Sequence, residues 1–225
     1  MNLPTHITHY FEREYGPFLN ICDLDEESIA ELFEAERKAK TAFNRFSLGS
    51  DFMKWRRNAD DLLIRAYEEK FGFSPEVRPY FAVLGSFDRT LTMFREGRKT
   101  MLEVSDFEEH ELTFMYPDHS HLTTVYRVEG PHLFYQPPQN WREDPIWGRV
   151  FTYQELVSEY QDHDIENRIQ RHKENSGWAG CYVEAHIWCR DGRTKLRKQG
   201  EGGESYSFRP SCPAFNAEDR SELQK

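Results

Sequence analysis

The order of residue patterns predicts an α+β fold: helices grouped near the front, short strands clustered after them and one late strand. That order does not alternate as a doubly wound sheet requires. Three observations carry the prediction. A 3.6-residue apolar period runs through Phe52, Trp55, Ala59, Leu62, Leu63 and Ala66. From Pro79 the pattern changes to short β-type runs bounded by Gly, Pro, Asp and Ser. The stretch from Gly180 to Arg190 then alternates, with Tyr182, Glu184, His186 and Trp188 on one face and Cys181, Val183, Ala185, Ile187 and Cys189 on the other. The sheet is expected to be mixed and mainly antiparallel, in one domain over residues 1–199 with a flexible charged tail over 200–225.

In chain order, residues 3–11 mix β-branched and aromatic residues with two histidines and predict an opening strand. Its alternation puts His6, Thr8 and Tyr10 on one face and Ile7, His9 and Phe11 on the other. Asp23 with Glu26 three residues on has capping-box spacing and opens a helix to about Lys40, whose basic last turn suits the helix dipole. A loop holding Phe43, Arg45 and Phe46 leads to the periodic helix, from near Ser50 to Phe71-Gly72. Strands are expected over 80–84, 99–104, 111–116 and 123–128, the last extended by Leu133-Phe134-Tyr135. The proline-rich stretch 136–149 is an irregular loop, and Thr152 with Glu155 caps another helix. Its continuation from Asp162 to Lys173 is polar enough to be expected on the surface.

Composition narrows the function classes. The 225 residues are 38% hydrophobic and 15% aromatic, enough for one sizeable core. A net charge of -10 argues against wrapping duplex nucleic acid or lying on an anionic membrane, since both need a cationic footprint. The four cysteines show no C-x-x-C spacing and read as reduced core thiols of a cytoplasmic protein. There is no basic segment followed by an apolar run at the start, and no stretch approaches the ~18 apolar residues of a membrane span.

Several chemistries lack their motifs. Neither G-x-x-x-x-G-K nor G-x-G-x-x-G occurs with a strand and helix around it, and there is no G-x-S-x-G elbow. His119 and His121 stand two apart after a strand, as in some metal barrels, but Thr124 and Val125 occupy the positions where a cupin-like glutamate belongs. Glu184 remains: a carboxylate fixed on a rigid strand is either structurally paired or put to use.

Two likenesses bear on that choice. Thr8-His9-Tyr10, Tyr80 to Gly85, Asp106-Phe107 with Leu112 to Tyr116, and Tyr182 to Trp188 resemble a bacterial family of unassigned function with a T-H-Y start and an I-E-V-Q-I-W-like strand. More distantly, His6-Ile7-Thr8-His9, Pro79-Tyr80-Phe81 and Tyr182-Val183-Glu184 resemble three strands of DarT-type ADP-ribosyltransferases. The second likeness implies an ADP-ribosyltransferase-like split sheet holding NAD between two β-halves. It implies that His6 and Thr8 contact a ribose and the amide, that Tyr80 or Phe81 stacks near nicotinamide, and that Glu184 is the catalytic carboxylate. Arg45 is implied as a partner of the pyrophosphate. The first likeness favours His9 over His6, and these two lie on opposite strand faces.

The expectation is therefore an NAD-consuming, ADP-ribosyltransferase-like enzyme, a toxin or defence factor modifying nucleic acid or protein. Two alternatives stand beside it. One is a non-enzymatic interaction protein using its acidic surface and the loop from Trp141 to Trp147; the other is a metal-dependent hydrolase using His119 and His121.

Overall fold

The computed structural model describes residues 3–39, 50–122, 143–174 and 180–190. Five strands form one antiparallel sheet: β1 (His6–Glu12), β2 (Tyr80–Leu84), β3 (Gly97–Glu103), β4 (Leu112–Met115) and β5 (Glu184–Ile187), in spatial order β3-β1-β2-β5-β4. Helix α2 (Ser50–Phe71) covers one face, with α1 (Glu26–Ala39) packed against it, and α3 (Tyr153–Asp162) and α4 (Ile165–Glu174) cover the other. The α+β class is as the sequence predicts, in three layers. Arg45, Trp141, the runs 123–128 and 133–135, and the tail from residue 200 lie outside the described residues.

The two faces of β5 separate as its alternation requires. Val183, Ala185, Ile187 and Cys189 join Phe114, Leu156, Ile165 and Ile169 in the core beneath α3 and α4. Trp188 joins Leu62, Leu63, Ile64 and Tyr67 of α2 on the other side, so Glu184 and His186 are buried between sheet and helix. Trp55 belongs to the seam between α1 and α2, with Ile29, Leu32 and Phe52. Cys22, Cys181 and Cys189 are free thiols.

Two expectations are corrected. The first helix begins at Glu26, because Asp25 rather than Asp23 accepts the Ser28 N–H at 2.7 Å; Asp23 closes a short 3-10 turn over Ile21–Asp23. The polar stretch after Asp162 is not simply exposed. The chain turns at Asp164, with φ of 52°, and starts α4, which buries Ile165 and Ile169. Two isoleucines four apart make a narrow apolar stripe that is enough to dock an otherwise charged helix. The alternating stretch from Gly180 to Arg190 is strand only over Glu184–Ile187. As expected, α2 ends at Phe71 before Gly72 at φ of 78°, and the Thr152–Glu155 capping box opens α3.

The sheet has one interruption. β1 pairs with β2 only through Ile7↔Leu84, Thr8↔Val83 and His9↔Ala82, although β1 continues along β3 to Glu12 and β2 along β5 to Tyr80. The next hydrogen-bonded pair in that register would be Tyr10 and Phe81. Instead His9 Nδ1 donates to the Phe81 carbonyl at 2.8 Å, and its Nε2 accepts the Phe18 N–H at 2.9 Å. The side chain of His9 thus occupies the place of a ladder bond, and the strands part there. Among the described residues no helix is long and apolar enough to cross a membrane.

Leu63 is fully buried between α2 and the sheet, whereas Val157 on α3 is 41% exposed. Leu63→Ala is expected to cost about 2–5 kcal/mol in urea denaturation, and Val157→Ala less than about 0.5 kcal/mol. Equal effects would contradict this packing.

Candidate functional site

A cavity of about 220 Å³ opens where β1 and β2 part. Tyr10, Phe11 and Glu12 of β1, Phe81 and Val83 of β2, Arg56 of α2, and Tyr182 and Glu184 line it, with His9 and Asn20 also in its wall. The register places Thr8, Val83, Glu184 and Met115 in one row across the sheet, on the face under α2. His9, opposite Ala82, belongs to the other face, where its ring stacks on Phe18 with centroids 4.9 Å apart.

Glu184 is the centre of a buried network. Its Oε2 accepts the His119 backbone N–H at 2.8 Å, His119 Nδ1–H at 2.8 Å and His186 Nε2–H at 3.1 Å. All three donors meet one oxygen. Glu184 lines the cavity with 9% of its side-chain surface accessible, which leaves Oε1 as the oxygen facing that space. His119 reaches this place because the chain turns after β4 into a 3-10 turn, His119–His121, capped by Asp118.

The second carboxylate is Asp60 on α2, fully buried. Its Oδ1 lies 3.0 Å from Arg56 Nε and 3.4 Å from His119 Nε2, and its Oδ2 accepts from Asn20 Nδ2 at 2.8 Å. Asn20 also donates to the Pro79 carbonyl at 2.9 Å, tying the segment after β1 to the start of β2. The ring of Phe81 packs against both cations, 4.4 Å from the His119 centroid and 4.2 Å from Arg56 Cζ.

These contacts determine protonation. Burial disfavours an imidazolium, but the Glu184 charge, the nearby Asp60 carboxylate and the hydrogen bond to Glu184 outweigh it and the repulsion from Arg56, raising His119 to about 9. Burial likewise disfavours the Asp60 anion, and Arg56 and His119 overcome it, lowering that carboxyl to about 2. Glu184 is buried too, yet His119 and then His186 hold it well below the ordinary carboxylate range. His186 stays neutral, because burial outweighs its bond to Glu184. With Nε2–H on Glu184, its Nδ1 accepts from the Thr113 hydroxyl at 3.1 Å, and Thr113 accepts from Trp188 Nε1–H at 2.8 Å. His9 is lowered to about 4 by burial, against its bond to Phe81.

The site residues expected from sequence divide into three groups. Glu184, Phe81 and His9 line the cavity. Thr8 shares the face of Glu184 but is wholly buried, bonded to the Gly85 carbonyl and 2.9 Å from the Ser86 hydroxyl. His6 starts β1 at the sheet end away from the parting, and Tyr80 packs on the core beneath α3 and α4. Arg45 lies outside the described residues. His119 and His121 diverge: the first is held by two carboxylates, while the second stacks on Trp147 with centroids 5.0 Å apart. Among the described residues no group of three His, Cys, Asp or Glu side chains could hold a metal ion.

Sequence reasoning passed over Arg56, Asp60 and Asn20. A signal was present, since Asp60, Leu63 and Tyr67 follow one another at helical spacing on the buried side of α2, and a carboxylate there demands a partner. No protein-family model, curated protein or solved structure is significantly similar to this chain.

The network makes stability depend on pH in both directions. His119 is raised in the folded state, so its contribution is complete below 6.5 and is lost as the pH climbs through about 9. Glu184 is lowered, so its contribution is present above 4.5 and is lost as the pH falls through its folded value. His9 adds to the acid loss, because the unfolded chain takes up that proton first as the pH drops from 6.5 towards 4. Denaturant unfolding across pH is expected to show a maximum near neutrality, with the alkaline decline flattened in His119→Gln. An alkaline decline of the same size in that variant would contradict the assignment.

Proposed function

We propose that the protein is an NAD-consuming, ADP-ribosyltransferase-like enzyme in which Glu184 is the catalytic carboxylate. The observation that carries the reading is a buried, ionised glutamate presenting one oxygen to a cavity at the parting of two central strands. The reading draws on the likeness of Tyr182-Val183-Glu184 and Pro79-Tyr80-Phe81 to DarT-type transferases; Glu184 and Phe81 line the cavity, while His6, Thr8 and Tyr80 do not.

The chemistry suits these groups. As the bond between ribose C1′ and nicotinamide nitrogen breaks, its electron pair leaves with nicotinamide and positive charge develops on the ribose. Glu184 Oε1 stabilises that charge and holds a ribose hydroxyl. The acceptor nucleophile then bonds to C1′, and its proton passes to Oε1 or to water. Because burial, the His119 cation and the His186 N–H preorganise the carboxylate, little reorganisation is needed as the charge appears. Tyr182 gives the cavity an aromatic wall beside Glu184, while Phe81 is already packed against His119 and Arg56. Arg56 contributes a guanidinium to that wall, a charge suited to the diphosphate of NAD. The acceptor in this reading is nucleic acid or protein, and the biological role that of a toxin or defence factor.

Nicotinamide release from NAD by the purified protein, with nucleic acid and cell extract offered as acceptors, tests the reading. Glu184→Gln is expected to lower kcat by about 10²–10³-fold. NAD at 100 times its Kd is expected to add about 2.7 kcal/mol to stability, seen as a raised Tm. Absence of both release and thermal shift would remove the proposal.

A further inference from the structure

Three elements of the fold converge on His119. The turn after β4 carries it, β5 supplies Glu184 on one side of its ring, and α2 supplies Asp60 on the other. The Glu184 contact is double, because backbone N–H and Nδ1–H both reach Oε2 at 2.8 Å. Asp60, 3.4 Å from Nε2, is itself anchored by Arg56 and Asn20.

We propose that His119, backed by Asp60, is a positioning residue that fixes the rotation of the Glu184 carboxylate, turning Oε2 into the protein and presenting Oε1 alone to the substrate. This rests on the reading of Glu184 as the catalytic carboxylate. The terminal torsion of a glutamate is broad and roughly two-fold, so a carboxylate in an open cavity would sample many orientations. Donors gathered on one oxygen remove that freedom. Glu184 therefore engages one ribose hydroxyl through one oxygen instead of bridging two.

Asp60 has a separate task. An imidazole carries a proton on both nitrogens only in its charged form, and a carboxylate oxygen 3.4 Å from Nε2 favours that form over the neutral ring. The titratable and charged groups around His119 are Glu184 and His186 from β5, Asp60 and Arg56 from α2, and Asp118 and His121 in its own turn. Arg56 opposes the imidazolium, whereas Asp60 and Glu184 favour it. Removing the Asp60 charge takes away one of the two supports. The proton then leaves at lower pH, and the hold on Glu184 weakens there.

The test is kcat and KM for nicotinamide release, from neutrality to beyond the His119 value of about 9, in the wild type, His119→Gln and Asp60→Asn. The His119 ring proton is followed by NMR in wild type and Asp60→Asn, which reads its titration and folding without reference to activity. His119→Gln is expected to lower kcat about 100-fold, as misplacement of a reacting group does, with KM little changed. Asp60→Asn is expected to shift the alkaline limb of kcat and the His119 titration together to lower pH. Wild-type kcat in His119→Gln, or an alkaline limb unmoved in a folded Asp60→Asn, would overturn the proposal. A wild type that releases no nicotinamide while His119 still titrates high would remove the reading of Glu184 as catalyst, and the positioning role with it. That failure is distinct from activity that survives loss of His119.

Discussion

A carboxylate buried between a sheet and a helix is costly unless its charge is met, and Glu184 is met by His119 and His186 on one oxygen. The remainder of the site follows from that requirement. His119 must be cationic to meet it fully, which calls for a second anion, and α2 supplies Asp60. Asp60 in turn needs cover, supplied by Arg56 one turn earlier on the same helix and by Asn20 from the segment after β1. Two anions and two cations thus close a network that ties both sides of the sheet parting to the helical layer. Removing one member leaves a buried charge unpaired, so the network is more a determinant of local geometry than a source of net stability.

His9 performs the complementary task on the backbone. Where β1 leaves β2, the Phe81 carbonyl and the Phe18 N–H would each be deprived of a partner, and one neutral imidazole satisfies both. Phe18, at φ of 62°, sits in a conformation that a bulky residue seldom takes, and its N–H on His9 and its ring against the His9 ring hold it there. The opening between the strands is therefore built by side-chain chemistry, and the cavity occupies the space that results. An unsatisfied strand edge would draw water or another segment into the gap; a satisfied one keeps it available for a ligand.

The helices and most strands were legible because their signals are local. The period of α2, the Thr152–Glu155 box and the alternation of β5 each depend on residues within one or two turns. Where a boundary was misjudged, the competing local option was equally near: Asp25 stood two residues beyond Asp23 as a cap. Helix α4 was misread because overall polarity hides a stripe of only two isoleucines. Within the site, Glu184 stood out as a carboxylate on an apolar strand. Arg56 and Asp60 did not, since a charged pair four apart on a helix reads as a solvated face until something covers it.

By itself the sequence determined the α+β class, the acidic balance, the span of α2, the existence and facing of β5, and the position of Glu184 among aromatic neighbours. Each depends on composition or on periodicity along a short stretch of chain. The tertiary structure alone decided the order of the strands, the parting of β1 from β2, and the face on which Thr8 meets the row of Glu184. It alone brought Asp60 and His119, 59 positions apart in the sequence, within 3.4 Å. The physical reason is that desolvation of a charge depends on everything packed around it. The partner that offsets it is chosen by geometry across the fold, over separations at which residue patterns carry no signal.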